Sequence, residues 1–245
     1  MGLPILPKAT FPYKNPWLKT GFKMSPFDCG QESILVQVKD AEGRADKLNA
    51  IKQVLEECTG GTTDPGALPL FTVEDMFVRL REKSGGETLA LTYVCSNEVQ
   101  LPEGEDGALV SRECKTPVNI TIQLKDIQLV QEGEHTLVFP ISEDIGVKMR
   151  YPTLDGTLEY GDDPGQVVMS CIESVYDSDT VYPAADQTKE ELERFYKSIP
   201  LKVKNEIREK FFNTMPHLHY VIKAKCSKCG YMHEQQVESL NSIFT

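Results

Sequence analysis

Four cysteines carry the residue types and spacing most suited to chemistry. Cys226-Ser-Lys-Cys229-Gly230 sits between two runs that alternate apolar and polar residues. A Cys-x-x-Cys-Gly turn presents two thiolates from one knuckle. Its glycine lets the backbone fold back with N–H groups aimed at sulfur. That is half of a zinc ribbon, and a tetrahedral site needs two more ligands. Cys95 and Cys114 stand at the facing ends of two strand-like runs and supply them. Four thiolates leave no open coordination position, so a Zn²⁺ ion held by Cys95, Cys114, Cys226 and Cys229 supports folding and does not catalyse. Its binding energy then counts as folding energy. The first pair is split by eighteen residues where a knuckle normally has two, which an acidic insert explains. His219 and His233 are second-rank substitute ligands. The competing reading makes Cys226 and Cys229 free or redox-active thiols and Cys95 and Cys114 core residues.

Other polar groups point less far. His217-x-His219 faces one way on a strand but has no third ligand nearby in sequence, so a structural role is expected. The acid clusters Glu103 to Asp106 and Asp155 to Asp163 lack the spacing of a calcium loop, and Asp177-Ser-Asp179 is too short to signify. Gly60-Gly61 and Gly85-Gly86 do not open helices as a phosphate loop does. The phosphate-loop, zincin, nucleophile-elbow and dinucleotide motifs are absent from the sequence. The expectation is a binder, not an enzyme.

Composition narrows the class further. The chain of 245 residues, 40% hydrophobic and 26% charged, is that of an ordinary globular protein. Seven cysteines without an export signal suggest reduced thiols in a cytosol. Cys29, Cys58 and Cys171 read as small core residues. No apolar run reaches the length of a membrane span. A net charge of -11 disfavours non-specific nucleic-acid binding. Residues 1–27 depart from that balance, with Lys8, Lys14, Lys19 and Lys23 and no acid.

The elements that must position the cysteines follow from periodicity. Residues 1–27 hold Pro4, Pro7, Pro12, Pro16 and Pro26, which favour extended chain. Between them stand Leu3, Phe11, Tyr13, Trp17 and Phe22, so this arm lies across its own body or a partner. Gln31–Asp40 fits a helix through Ile34, Leu35 and Val38 or a strand through Ile34, Val36 and Val38, with helix preferred, and Asp46–Cys58 is a clearer helix. Thr72-Val-Glu-Asp75 resembles a capping box opening a third helix that Gly85-Gly86 closes. Thr88–Val94 and Val118–Leu124 alternate as strands, joined by a polar loop from Ser96 to Glu113. His135–Ile141 reads as a strand placed near an edge by Pro140. Glu143–Tyr151 suggests a short helix and Asp155–Gly165 a loop. Val168, Cys171, Ile172 and Val175 mark a helix. Thr188-Lys-Glu-Glu191 is a capping box, and Val203 to Met215 forms a last helix stopped by Pro216. The predicted fold is α+β: helices packed on antiparallel β-hairpins, with a zinc-ribbon-like element and an extended N-terminal arm. The expected segments are the arm at 1–27, helical 28–86, a β-hairpin region at 87–141 with the first cysteine pair, helical 142–216, and a C-terminal hairpin at 217–245. Residues 28–245 can equally form one composite domain.

In this order the stretches Ser25–Leu35, Ile51–Cys58, Leu68–Ser84, Ile145–Pro152, Cys171–Tyr176, Glu190–Phe195, Phe211–Pro216 and Cys226–Gly230 resemble the baseplate hub subunit family of T4-like contractile-tailed phages. The resemblance spans nearly the whole chain and departs from the usual pattern at the split first knuckle. It implies a non-enzymatic part in assembling or building the central hub through contacts with other hub or spike proteins. The corresponding locations are the host cytoplasm during assembly and the virion tail baseplate. Two other readings are a zinc-ribbon nucleic-acid-binding viral regulator, opposed by the acidic body, and a thiol oxidoreductase. The latter would need its Cys-x-x-Cys to open a helix.

Overall fold

A computed structural model describes residues 6–38, 43–103, 108–161 and 163–237. The acidic stretch Glu103 to Asp106, the predicted arm at 1–27 and the predicted C-terminal hairpin at 217–245 therefore fall partly outside the described residues.

The chain opens with a small hairpin, β1 (Phe11–Tyr13) and β2 (Phe22–Met24), followed by helices α1 (Cys29–Val38), α2 (Arg44–Cys58) and α3 (Leu70–Lys83). Tyr13 and Met24 point inward onto those helices and join Leu48, Ile51, Leu55, Val73, Met76, Phe77 and Leu80 in a first core. Burying each such side chain is worth about 1.5–3 kcal/mol, which is what holds a proline-rich segment down. Of the two placements open for the arm, residues 6–27 take the one across their own body. A buried polar network fixes it. The Tyr13 hydroxyl donates to Asp75 Oδ2 at 2.7 Å, and Asn15 Nδ2 donates to Tyr13 Oη at 3.1 Å and Thr72 Oγ1 at 3.2 Å. Arg79 completes it, reaching Asp75 at 3.2 Å and the carbonyls of Leu124 and Ile127. This network replaces the predicted capping box: α3 starts two residues before Thr72, with Pro69 as its N-cap. Thr72 and Asp75 are buried partners of the arm instead.

Next come β3 (Thr88–Val94), β4 (Glu98–Glu103), β5 (Ala108–Glu113) and β6 (Pro117–Gln123). Within the predicted loop from Ser96 to Glu113, Glu98–Glu103 and Ala108–Glu113 are thus two paired strands. β3 pairs with β6 from Thr88↔Gln123 to Val94↔Pro117, and β4 pairs with β5 from Glu98↔Glu113 outward. The sequence hides this because the hairpin's apolar residues are few and one of its sides is exposed, as Leu109 illustrates at 66%.

β7 (Gln128–Val130) leads to a four-stranded antiparallel sheet of order β11-β10-β9-β8. Its strands are β8 (Val138–Pro140), β9 (Gly146–Met149), β10 (Ile172–Tyr176) and β11 (Val181–Pro183). Pro140 indeed lies on an edge strand. The predicted helix over Glu143–Tyr151 is instead β9. Val147 and Met149 alternate into the core with period two, and Tyr176 lies across Gly146 from the neighbouring strand. A Cβ on Gly146 would fall 2.1 Å from the Tyr176 hydroxyl, so glycine admits the ring. The predicted loop over Asp155–Gly165 folds into α4 (Leu154–Tyr160) and the start of α5 (Pro164–Ser170). Thr153 caps the first through Gly156 N–H, and Asp163 with Pro164 at the first position opens the second. α5 ends at Ser170, so Ile172 and Val175 belong to a strand and not to the predicted helix.

α6 (Lys189–Ser198) begins with the predicted capping box, Thr188 and Glu191 bonding reciprocally. α7 (Leu201–Lys210) stops earlier than the periodicity suggests. These helices cover the sheet around Phe139, Val147, Met149, Ile172, Val203, Ile207 and Phe211, a second core. β12 (His217–Lys225) and β13 (Met232–Val237) close the chain, in a sheet of order β13-β12-β7. Leu218 and Ile222 of β12 enter the first core beside Leu89, Ile122 and Leu154. That core therefore draws residues from every segment marked out in the sequence.

Candidate metal centre

Two hairpins meet end to end over sulfur. One is β3–β6, continued by β4–β5; the other is β12–β13. At the first root, Cys95 N–H donates to the Thr116 carbonyl, Lys115 N–H to the Cys95 carbonyl and Cys114 N–H to the Asn97 carbonyl, all at 2.8–2.9 Å. At the second, Gly230 N–H donates to the Cys226 carbonyl at 3.0 Å and Cys226 N–H to the Tyr231 carbonyl at 2.9 Å. In both, the residue after the second cysteine is left-handed: Lys115 at φ 52° and Gly230 at φ 73°. Glycine takes that conformation freely, whereas lysine does so at a cost of order 1 kcal/mol. The first root therefore shares the left-handed step of the second, with the β4–β5 pair set between its two cysteines.

The four sulfurs of Cys95, Cys114, Cys226 and Cys229 all lie within 4.8 Å of one another. Cys95 to Cys229 is 3.7 Å and Cys114 to Cys226 is 3.8 Å. A disulfide requires about 2.05 Å, so these are separate thiols. Four sulfurs each about 2.3 Å from a tetrahedral Zn²⁺ sit roughly 3.8 Å apart, which the Cys95–Cys229 and Cys114–Cys226 pairs match. The residues thus fit a tetrathiolate ion. Tyr93, Val99, Val118, Ile120 and Ala224 wall the cluster, and only Cys229 is partly exposed.

Each sulfur also faces a hydrogen-bonding group. The backbone N–H groups of Cys229 and Lys228 aim at Cys226 and pull its thiol down to about 6 against burial. Thr116 lies 3.2 Å from Cys114 and holds it below the ordinary thiol value. Asn97 Nδ2 donates to Cys229 at 3.7 Å, within the reach of sulfur. Cys95 faces His233 Nε2 at 3.1 Å. Burial nevertheless pushes Cys95 up to about 12. Without a cation, a dry pocket disfavours a second and third negative sulfur; a divalent ion removes that penalty by replacing the protons. Asn97 and Thr116 escaped the sequence reading, yet each stands two residues after a cysteine, where a knuckle folds its own chain back over sulfur.

The remaining sequence-marked groups have structural partners. His217 Nδ1 donates to the Met215 carbonyl at 3.2 Å, and His219 Nδ1 accepts from Gln236 Nε2 at 2.9 Å. Asp155 pairs with Lys52 at 2.6 Å, and Asp177 caps a turn through the N–H groups of Asp179 and Thr180. Among the described residues, the four cysteines are the one grouping with the proximity to hold a metal ion. Cys58 and Cys171 are buried, each pushed up to about 11 by desolvation, whereas Cys29, read as a core residue from sequence, is exposed. Among the described residues no helix is long and apolar enough to cross a membrane.

Architecture and site define an α+β protein with two hairpins facing each other across a tetracysteine centre. The family model described as T4 bacteriophage base plate protein matches residues 7–245, so the chain belongs to that family and has a structural role in a phage baseplate. No curated protein and no solved structure matches it.

Proposed function

We propose that this protein acts without enzymatic activity in the assembly or structure of the baseplate's central hub, through contacts with other hub or spike proteins. The same reading has it fold in the host cytoplasm and join the virion tail. The family match over residues 7–245 is the observation that carries it. The acidic net charge of -11 supports it in two ways: it suits basic protein partners and opposes nucleic acid. In this reading Cys95, Cys114, Cys226 and Cys229 hold one structural Zn²⁺, supported by the sulfur spacing. The ion joins two hairpins that the chain separates by more than a hundred residues.

A phage lacking the gene tests the hub role. The expected result is that hub and spike components accumulate without complete baseplates, and that tagged protein from infected cells carries a hub component with it. Complete baseplates in the deletion sink the proposal. Metal analysis of purified protein tests the ion separately: one Zn²⁺ per chain is expected, with four thiols protected until a chelator is added.

A further inference from the structure

The donors around the sulfurs form two groups. Cys226, Cys114 and Cys95 are served from within their own knuckles, by the N–H groups of Lys228 and Cys229, by Thr116 and by the Asn97 N–H. The other two side-chain donors cross between the hairpins. Asn97, on the first hairpin, donates to Cys229 on the second. His233, on the second, faces Cys95 on the first. His233 is held for this: its ring lies edge-on between Tyr93, 4.9 Å away at 75°, and Tyr231, 4.8 Å away at 73°. Tyr93 comes from β3, so the clamp also spans both hairpins.

We propose that Asn97 and His233 are a reciprocal pair of positioning residues that close the tetrathiolate centre, each lending an N–H to a metal-bound sulfur of the opposite hairpin. The inference rests on the metal reading above. A thiolate bound to Zn²⁺ keeps lone pairs, and an N–H aimed at one withdraws charge and fixes the sulfur's direction. Because each donor sits on the hairpin that does not own its sulfur, the pair resists the motion that would open the centre, the hairpins parting. Within one knuckle a donor shapes only its own turn. His233 here is a donor and not a fifth ligand, since four sulfurs already complete the tetrahedron.

The test uses the full chain loaded with Co²⁺, whose sulfur-to-metal charge-transfer absorption counts bound thiolates, with chelator competition for affinity. His233→Phe keeps the ring between the two tyrosines and removes the donor. His233→Gln restores an amide N–H near the same point. Asn97→Leu removes the other donor from the other hairpin. The expected result is that His233→Phe and Asn97→Leu each lower affinity about 10–100-fold, the usual size for such outer donors. Absorption per bound ion stays that of four sulfurs, and His233→Gln recovers most of the loss. Alkylation of the metal-loaded protein should quicken at Cys95 in the first variant and at Cys229 in the second. Wild-type affinity in both donor-less variants overturns the proposal. So does a wild-type spectrum of three sulfurs and one nitrogen, which would make His233 a ligand. A wild-type chain that binds neither Co²⁺ nor Zn²⁺ fails earlier and overturns the metal reading itself.

Discussion

The arm depends on a few buried residues, and Tyr13 is the one to test. Its hydroxyl is buried, pushed well above its ordinary value by desolvation and by Asp75 beside it, so it remains a neutral donor at any working pH. Tyr13→Phe keeps the ring against Phe22 and removes one donor from a buried carboxylate. A charge-assisted bond of this kind is worth about 1.5–3 kcal/mol. Urea unfolding should show a loss of that size with unchanged slope; a loss below about 0.5 kcal/mol would mean water replaces the hydroxyl. His135 is a second residue-scale case. Tyr151 Oη lies 2.9 Å from its Nε2 and Thr214 Oγ1 2.9 Å from its Nδ1. Burial lowers its affinity for a proton below the ordinary 6.5. Above that pH folded and unfolded chains are both neutral here. As pH falls through 6.5 the unfolded state protonates first, so stability declines toward the lower folded value. His135→Asn should flatten the thermal melting temperature between about pH 6.5 and 5 relative to the wild type; parallel curves refute this. Residues such as these were partly legible in sequence. Eight large apolar groups among prolines signalled a docked arm, but Asp75 looked like a cap because nothing local reveals a partner sixty positions away.

Among elements, β4–β5 is the most dependent on the centre. A two-stranded hairpin alone is marginal in water, and this one is rooted between Cys95 and Cys114. On the metal reading proposed above, Cys226→Ser, or removal of the ion, should loosen the roots of β3–β6 and β12–β13 while the cores around Phe77 and Phe139 persist. Hydrogen exchange checks it: protection should fall in Thr88–Val94, Glu98–Val99, Pro117–Gln123 and Lys223–His233, and remain in α3 and β9. Uniform loss of protection would make the centre indispensable to the whole fold; no loss would make it ornamental. The same elements show why periodicity read some stretches well and others poorly. α2 buries one helical stripe, α3 is buried on most sides and α6 half-buries Leu192 and Phe195, and all three were visible. In Glu143–Tyr151, Ile145 and Met149 mimic helical spacing, but β9 lies between two strands and its environment decides. Val168 to Val175 carried a helical pattern across a helix end and a strand start. The Asp163-Pro164 opening was the overlooked signal there. The four cysteines were legible because thiol chemistry restricts what such a set can do; their crossing donors were not, because hairpin pairing had to be known first.

At the scale of the molecule, two cores must act as one body, and an aromatic ladder runs between them. Trp17 of the arm meets Phe71 of α3 at 5.6 Å and 72°, and Phe71 meets Tyr151 at 5.0 Å and 84°. Tyr151 then stacks on Phe211 of the second core at 5.8 Å and 13°. Backbone bonds reinforce the joint, Leu70 N–H to the Pro152 carbonyl at 3.0 Å and Leu154 N–H to the Leu68 carbonyl at 3.1 Å. Aromatic pairs contribute about 0.5–1.5 kcal/mol each beyond the area they bury, so three in series can couple two units of ordinary marginal stability. Trp17 is the chain's one tryptophan, so its fluorescence reports the arm and first core alone, while far-ultraviolet circular dichroism reports both cores. In the wild type the two signals should give one coincident denaturant transition. Tyr151→Ala removes the middle of the ladder and the partner of His135 together. It should split the transition, with the dichroism midpoint falling below the fluorescence midpoint as the second core unfolds first. Coincident curves in the variant would show that the backbone bonds suffice and that the ladder does not couple the cores.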